Sequence, residues 1–223
     1  MIWRKKSAGR GAPTRGVIFD FDGTIADSWP AILEVAEQLM GRTEHYTEEE
    51  IAYYRDLPLP VVMKELKVSV WKVPILLFRG RRMLKAHMHG IPVHDGMDQV
   101  LEWLHKKGVP LYVLSSNATE NVRQYLAWHK LSHCFTGVYG GASVFAKAPM
   151  LLKLLDREGL DTAGSWYVGD ETRDVSAARA VGLKSVSVTW GMNTHKRLAQ
   201  KGPDVLVDTA AELKRVLERA WKK

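Results

Sequence analysis

The sequence predicts an α/β fold, a Rossmann-like parallel sheet with helices on both faces plus an inserted all-helical domain. Three observations carry that reading. Short apolar runs alternate with helical segments of about ten to fifteen residues, the rhythm of a parallel sheet with crossover helices. The first run, Val17 to Phe19, passes straight into an acidic turn, Asp20-Phe21-Asp22-Gly23-Thr24. Between about Ser28 and Ile91 the helical spacing continues with no strand to interrupt it.

The apolar run at Val17 reads as a strand buried on both faces. Its carboxyl end delivers Asp20 and Asp22 to the edge where open α/β sheets bind their ligands. Gly23 allows the backbone a sharp exit, and Thr24 adds a hydroxyl. Trp29 to Met40 then has helical spacing, with Ser28 as a cap and Gly41 as a stop. Further helices are predicted over Thr47 to Arg55, Pro60 to Lys67 and Trp71 to His87.

From Pro92 onward strand and helix alternate. Met97 to Lys107 reads as helix, Pro110 to Leu114 as a strand running into Ser115-Ser116-Asn117, and Thr119 to Lys130 as helix. Phe135 to Tyr139 is a strand, and Pro149 to Glu158 a helix that stops at Gly159. Ser165 to Val168 is the next strand and leads into Gly169-Asp170-Glu171-Thr172-Arg173-Asp174. The helix closed by Gly182, strands at Ser185 to Thr189 and Asp204 to Val207, and a helix over Thr209 to Trp221 complete the chain. The predicted organisation is a core of residues 16–27 and 92–223, interrupted by a helical domain of residues 28–91.

Composition narrows the partners. With 223 residues, 46% hydrophobic and 26% charged, the chain suits one α/β domain and an insertion. The single cysteine, Cys134, excludes an intramolecular disulfide and fits a reducing, cytoplasmic setting; it reads as a small apolar residue. The longest strongly apolar run, Val73 to Phe78, falls far short of the roughly 20 residues of a membrane span. Residues 1–15 read as a disordered basic tail holding Arg4, Lys5, Lys6, Arg10 and Arg15, five of the positive charges behind the net +7. With no zinc-finger spacing, arginine-rich helix or aromatic-Gly-basic motif elsewhere, the composition argues against a nucleic-acid partner.

Four strand or helix ends on one sheet edge carry residues suited to one chemistry. They are Asp20, Asp22 and Thr24; Ser115, Ser116 and Asn117; Lys147; and Asp170 with Asp174. A transferring phosphoryl group spreads negative charge over its oxygens and needs donors and cations held in place. Ser115, the amides after it and Lys147 would supply donors, and the carboxylates would hold a hard cation such as Mg²⁺.

This set resembles the haloacid dehalogenase (HAD)-like superfamily, close to its phosphoglycolate-phosphatase-like group with a helical cap. The resemblance spans about Gly16 to Leu217 and includes Asp-Phe-Asp-Gly-Thr at 20–24, Ser115, Lys147 and Gly-Asp-x-x-x-Asp at 169–174. It implies that Asp20 is the nucleophile, forming an aspartyl-phosphate, and that Asp22 protonates the leaving oxygen and later activates water. It further implies that Thr24, Ser115, Ser116, Asn117 and Lys147 bind the phosphate of the substrate, with Thr24 also supporting the loop. Mg²⁺ would be held by Asp20, the backbone carbonyl of Asp22 and Asp170, with Asp174 close behind, and the insertion would be a mobile cap. Dehalogenating members lack the second aspartate of the first motif, so Asp22 favours phosphate esters.

The expected activity is Mg²⁺-dependent hydrolysis of a small phosphate monoester such as phosphoglycolate, by a monomer or dimer. A sugar-phosphate mutase on the same fold is the nearest alternative, and a non-catalytic protein that binds an acidic partner is the other. Within the insertion charge is sorted: seven acids against Arg42 and Arg55 from Ala31 to Asp56, then seven bases against Glu65 from Leu57 to Gly90. Arg79 and Arg82, which share a helix face, are the expected contacts for a second anionic group on the substrate.

Overall fold

A computed structural model describes residues 14–141 and 146–222. Six parallel strands form one sheet in the order β3-β2-β1-β4-β5-β6. They are β1 (Val17–Phe19), β2 (Leu111–Leu114), β3 (Gly137–Tyr139), β4 (Trp166–Gly169), β5 (Lys184–Val188) and β6 (Val205–Val207). The chain steps outward from β1 to β2 and β3, then returns to the other side of β1 for β4. The strand order therefore reverses between β1 and β4, and a crevice opens there at the carboxyl ends. Val17 pairs with Leu111 on one side and Trp166 on the other.

All three β1 side chains are buried, as a run without polar alternation requires. Successive residues point to opposite faces, so Val17 and Phe19 join one core cluster and Ile18 the other. The first face is covered by α5 (Met97–Lys106), α6 (Thr119–Trp128) and α10 (Ala210–Ala220), through Leu101, Tyr125 and Leu213 among others. The second is covered by α7 (Lys147–Glu158) and α8 (Thr172–Val181), through Leu151, Leu154 and Ala178. Cys134 lies in the first cluster, and burial pushes its thiol up to about 12, as expected of a small apolar residue.

Between β1 and α5 the insertion contributes four α-helices: α1 (Trp29–Met40), α2 (Glu48–Arg55), α3 (Leu59–Glu65) and α4 (Val73–His87). The chain leaves and rejoins the sheet through an antiparallel stem. Ala26 bridges Val93, Asp27 N–H donates to Pro92 O at 3.0 Å and His94 N–H to Ile25 O at 2.9 Å. Helices α1 and α4 pack on each other. A capping box starts α2: Thr47 Oγ1 accepts from Glu50 N–H, and Glu50 accepts from Thr47 N–H.

Several sequence expectations shift. Ser28 precedes α1, but its hydroxyl accepts from Gly23 N–H at 3.2 Å and caps nothing. Helix α7 begins at Lys147, two residues before the predicted Pro149, because proline is well tolerated in a first turn. The segment His195–Lys201 forms a helix, α9, that was not predicted; Thr194 caps it by accepting from Arg197 N–H at 3.2 Å. Residues 1–13 of the predicted tail lie outside the described residues. Thr14 and Arg15 belong to the core: Thr14 N–H donates to Gly159 O at 3.2 Å, and Arg15 lies over the Trp221 ring.

Candidate active site

The crevice beside β1 is where the predicted residues meet. Asp20 is buried at the end of β1, its Oδ1 accepting from Phe21 N–H at 2.8 Å. From α7, Lys147 donates to Asp20 Oδ2 at 2.6 Å and also to Asp174. Asp170 follows β4 and Asp174 lies in the first turn of α8. Oxygen atoms of Asp20, Asp170 and Asp174 lie within 4.8 Å of one another.

Burial raises the Asp20 carboxyl, with Lys147 pulling it back, and raises Asp170 well above its ordinary range. Burial alone would lower Lys147; Asp174 and Asp20 outweigh it and hold the ammonium charged. Three buried carboxylates facing one ammonium leave an excess of negative charge, and that donor set fits a divalent cation of the hard, oxygen-seeking kind.

Asp22 sits apart from the trio. Its Oδ2 accepts from Asn117 Nδ2 at 3.3 Å, while its Oδ1 is buried without a hydrogen-bond partner. Burial, then the nearby Asp20 charge, pushes its carboxyl up to about 7. A carboxyl in that range can carry a proton near neutral pH and give it to a leaving oxygen.

The structure gives other predicted residues more specific work. Thr24 is fully buried and donates to Asp170 Oδ1 at 2.9 Å, so it orients a carboxylate and does not face the crevice as a phosphate ligand. Ser115 Oγ accepts from Asn117 N–H at 2.9 Å, which fixes the turn after β2. Ser116 and Asn117 line the cavity above the crevice. Asn117 Oδ1 accepts from Ala118 N–H at 2.8 Å and Asn121 Nδ2 at 3.1 Å, which orients its amide toward Asp22. Lys147, expected on phosphoryl oxygens, is engaged by the two carboxylates. Arg79 and Arg82 are exposed and do not line the cavity, so this arrangement does not bring them to the crevice.

Other residues at the site were not singled out from sequence. Glu171 and Arg173 pair with each other on the cavity floor. Met192 N–H donates to Asp170 Oδ2 at 2.7 Å. Arg55, at the end of α2, donates to Gly191 O at 2.6 Å and Met192 O at 3.0 Å, and Asn193 Nδ2 donates back to Arg55 O at 3.1 Å. The insertion thus grips the loop that orients Asp170. Trp190 adds to this, with its indole N–H on Thr24 O at 3.2 Å and its ring stacked on His94.

Residues 17–188 match the model of the haloacid dehalogenase-like hydrolase family. The chain belongs to that family. It is 34% identical over 201 residues to a phosphoglycolate phosphatase of Synechococcus elongatus, covering 89% of this chain and 95% of the relative. A phosphoglycolate phosphatase of Aliivibrio fischeri is 29% identical over 92% of this chain and 96% of its own. Among solved structures, a predicted phosphatase from Clostridium acetobutylicum superposes with a TM-score of 0.78 at 23% identity, over 93% of this chain and 100% of that one. A haloacid dehalogenase-like hydrolase from Streptococcus pneumoniae gives 0.74 at 21% identity, over 92% and 98%. At those identities the structures establish the fold, and the family match and curated relatives establish a phosphatase of this class.

Among the described residues no helix is long and apolar enough to cross a membrane.

Proposed function

We propose that this protein hydrolyses a small phosphate monoester in two steps through an aspartyl-phosphate, with Mg²⁺ as cofactor. The observation that carries the reading is the division of labour between two aspartates two residues apart. Asp20 lies among the carboxylates and beside Lys147, whereas Asp22 is turned away to Asn117 with its pKa raised to about 7. One carboxylate lies against an ammonium that draws it back toward the ionised form against its burial, as a nucleophile requires; the other is held near the point of protonation, as a general acid requires.

Asp20, Asp170 and Asp174 are the residues that would hold the cation, joined by the backbone carbonyl of Asp22. When bound, Mg²⁺ supplies positive charge against the phosphoryl oxygens and lowers the repulsion between phosphate and carboxylate. An Asp20 oxygen attacks phosphorus as the ester oxygen leaves, and Asp22 gives that oxygen its proton. Asp22, now ionised, takes a proton from water, which opens the acyl phosphate and frees Asp20. Ser115, the amides that follow it, and Lys147 would supply the donors for the incoming phosphate. The helical insertion acts as a cap, closing on its stem to exclude water. The names of the curated relatives make phosphoglycolate the first substrate to assay.

The test is turnover of an activated aryl phosphate and a metabolite panel with Mg²⁺, before and after exhaustive EDTA treatment, for the parent and Asp20→Asn. Loss on chelation, recovery with Mg²⁺ and inactivity of a folded Asp20→Asn support the reading. Turnover that survives either treatment overturns it.

A further inference from the structure

The insertion and the catalytic crevice enclose a cavity of about 340 Å³, within the range of small-molecule sites. Its floor is polar, formed by Asp22, Ser116, Asn117, Asp170 and the Glu171–Arg173 pair. Its roof is different. Ile32, Ala36 and Leu39 reach it from α1, Leu66 from the end of α3, and Leu76 and Leu84 from α4. Among the described lining residues no charged side chain belongs to the insertion.

Helix geometry explains the selection. Positions 76, 80 and 84 recur every four residues and share one face of α4, and that face meets the cavity. Arg79, Arg82 and Lys85 fall off it and are exposed. On α1, Ile32, Ala36 and Leu39 are spaced by four and then three residues, which also keeps them on one helix face, while Glu34 and Gln38 are exposed. Arg79, Arg82 and Lys85 therefore lie away from the cavity, and what α1, α3 and α4 turn toward the catalytic floor is hydrocarbon; Arg55 of α2 meets the core beside it, on Gly191 O and Met192 O.

We propose that the substrate is a phosphate monoester of an uncharged alcohol bearing an apolar chain or ring of several carbons. This rests on the phosphatase reading and names the class of leaving group. The phosphate occupies the polar floor, and the apolar part fills the cavity beneath α1, α3 and α4. A carboxylate in that space, as in a short phosphorylated acid, would lose its water against hydrocarbon, and the guanidinium on the floor is already paired with Glu171. An alkyl group there removes apolar surface from water on both sides.

The experiment is a homologous series of methyl, butyl, hexyl and octyl phosphate, with phosphoglycolate and an aryl phosphate, assayed with Mg²⁺ on the parent protein. Leaving-group basicity hardly changes along the alkyl series, so differences in kcat/KM report the cavity. The expected result is a rise of about fourfold per methylene until the cavity is full, with phosphoglycolate on the order of tenfold below butyl phosphate. Ala36→Leu, which fills the roof, should lower the hexyl-to-methyl ratio of kcat/KM. A flat series, a ratio unmoved by Ala36→Leu, or phosphoglycolate above every alkyl ester overturns the inference while leaving the phosphatase reading intact. Failure to hydrolyse any ester, the aryl phosphate included, overturns the phosphatase reading itself and the inference with it.

Discussion

Lys147 donates to Asp20 across 127 positions of sequence, and the same ammonium reaches Asp174, so one buried cation ties β1, α7 and α8 together. All three side chains are buried. Such a cluster is costly to desolvate and is tolerated because each charge has an opposite partner.

Lys147→Met should therefore destabilise the cation-free protein by about 3–5 kcal/mol, because two buried carboxylates lose their counter-charge. Urea denaturation of the two proteins measures this. Added Mg²⁺ should narrow the gap, since a divalent cation restores positive charge to the trio. A variant as stable as its parent would mean the carboxylates are protonated in the fold.

Asp22→Asn should lower turnover of alkyl phosphates by about 10²–10⁴-fold and that of activated aryl phosphates much less, because a good leaving group needs no proton. Comparing kcat on the two substrate types checks it. Equal losses would mean that Asp22 acts in opening the acyl phosphate or only holds Asn117.

Gly191→Ala should weaken cation binding. A Cβ at Gly191 would collide with the Asp170 carboxylate and with Gly23 O, so Asp170 must move. The Mg²⁺ concentration giving half-maximal activity should rise at least tenfold, as when the partners of a ligating group are disturbed. An unchanged requirement would remove Asp170 from the cation site.

Asp204 gives a pH prediction. Burial pushes its carboxyl up, but the backbone N–H and hydroxyl of Ser185, each donating to Oδ2 at 2.7 Å, outweigh that and hold it below the ordinary range. A depressed folded-state pKa means that the stabilisation is present above the unfolded-state value, about 3.9 for aspartate, and lost as pH falls through the folded value. Asp204→Ala should lower Tm at pH 6, and the difference from the parent should shrink on acidification toward pH 3. A gap that stays constant over that range would assign the effect to packing.

The alternation of apolar runs and helices made the fold class legible, since periods of two and 3.6 residues are local properties of a chain. Asp20, Asp22, Ser115, Lys147, Asp170 and Asp174 were legible for a related reason: each stands at or just beyond the end of a strand, or at the start of a helix, and parallel strands bring such ends to one edge. The helix His195–Lys201 was missed because it is short and polar, with Leu198 as its one buried residue to mark an apolar face.

Sequence by itself determined which residues arrive at the carboxyl edge of the sheet. Only the tertiary structure decided what each one faces. Thr24 turned out to hold Asp170, Asn117 to hold Asp22, and Arg55 to grip the loop beside Asp170, because each of these contacts joins positions at least 95 residues apart. The same holds for the insertion. Its charges could be counted along the chain, but which face of α4 meets the crevice depends on how α1 and α4 pack, and that packing turned Leu76 and Leu84 inward and Arg79 and Arg82 to solvent. Periodicity states that a helix has two faces; a long-range contact is needed to choose between them.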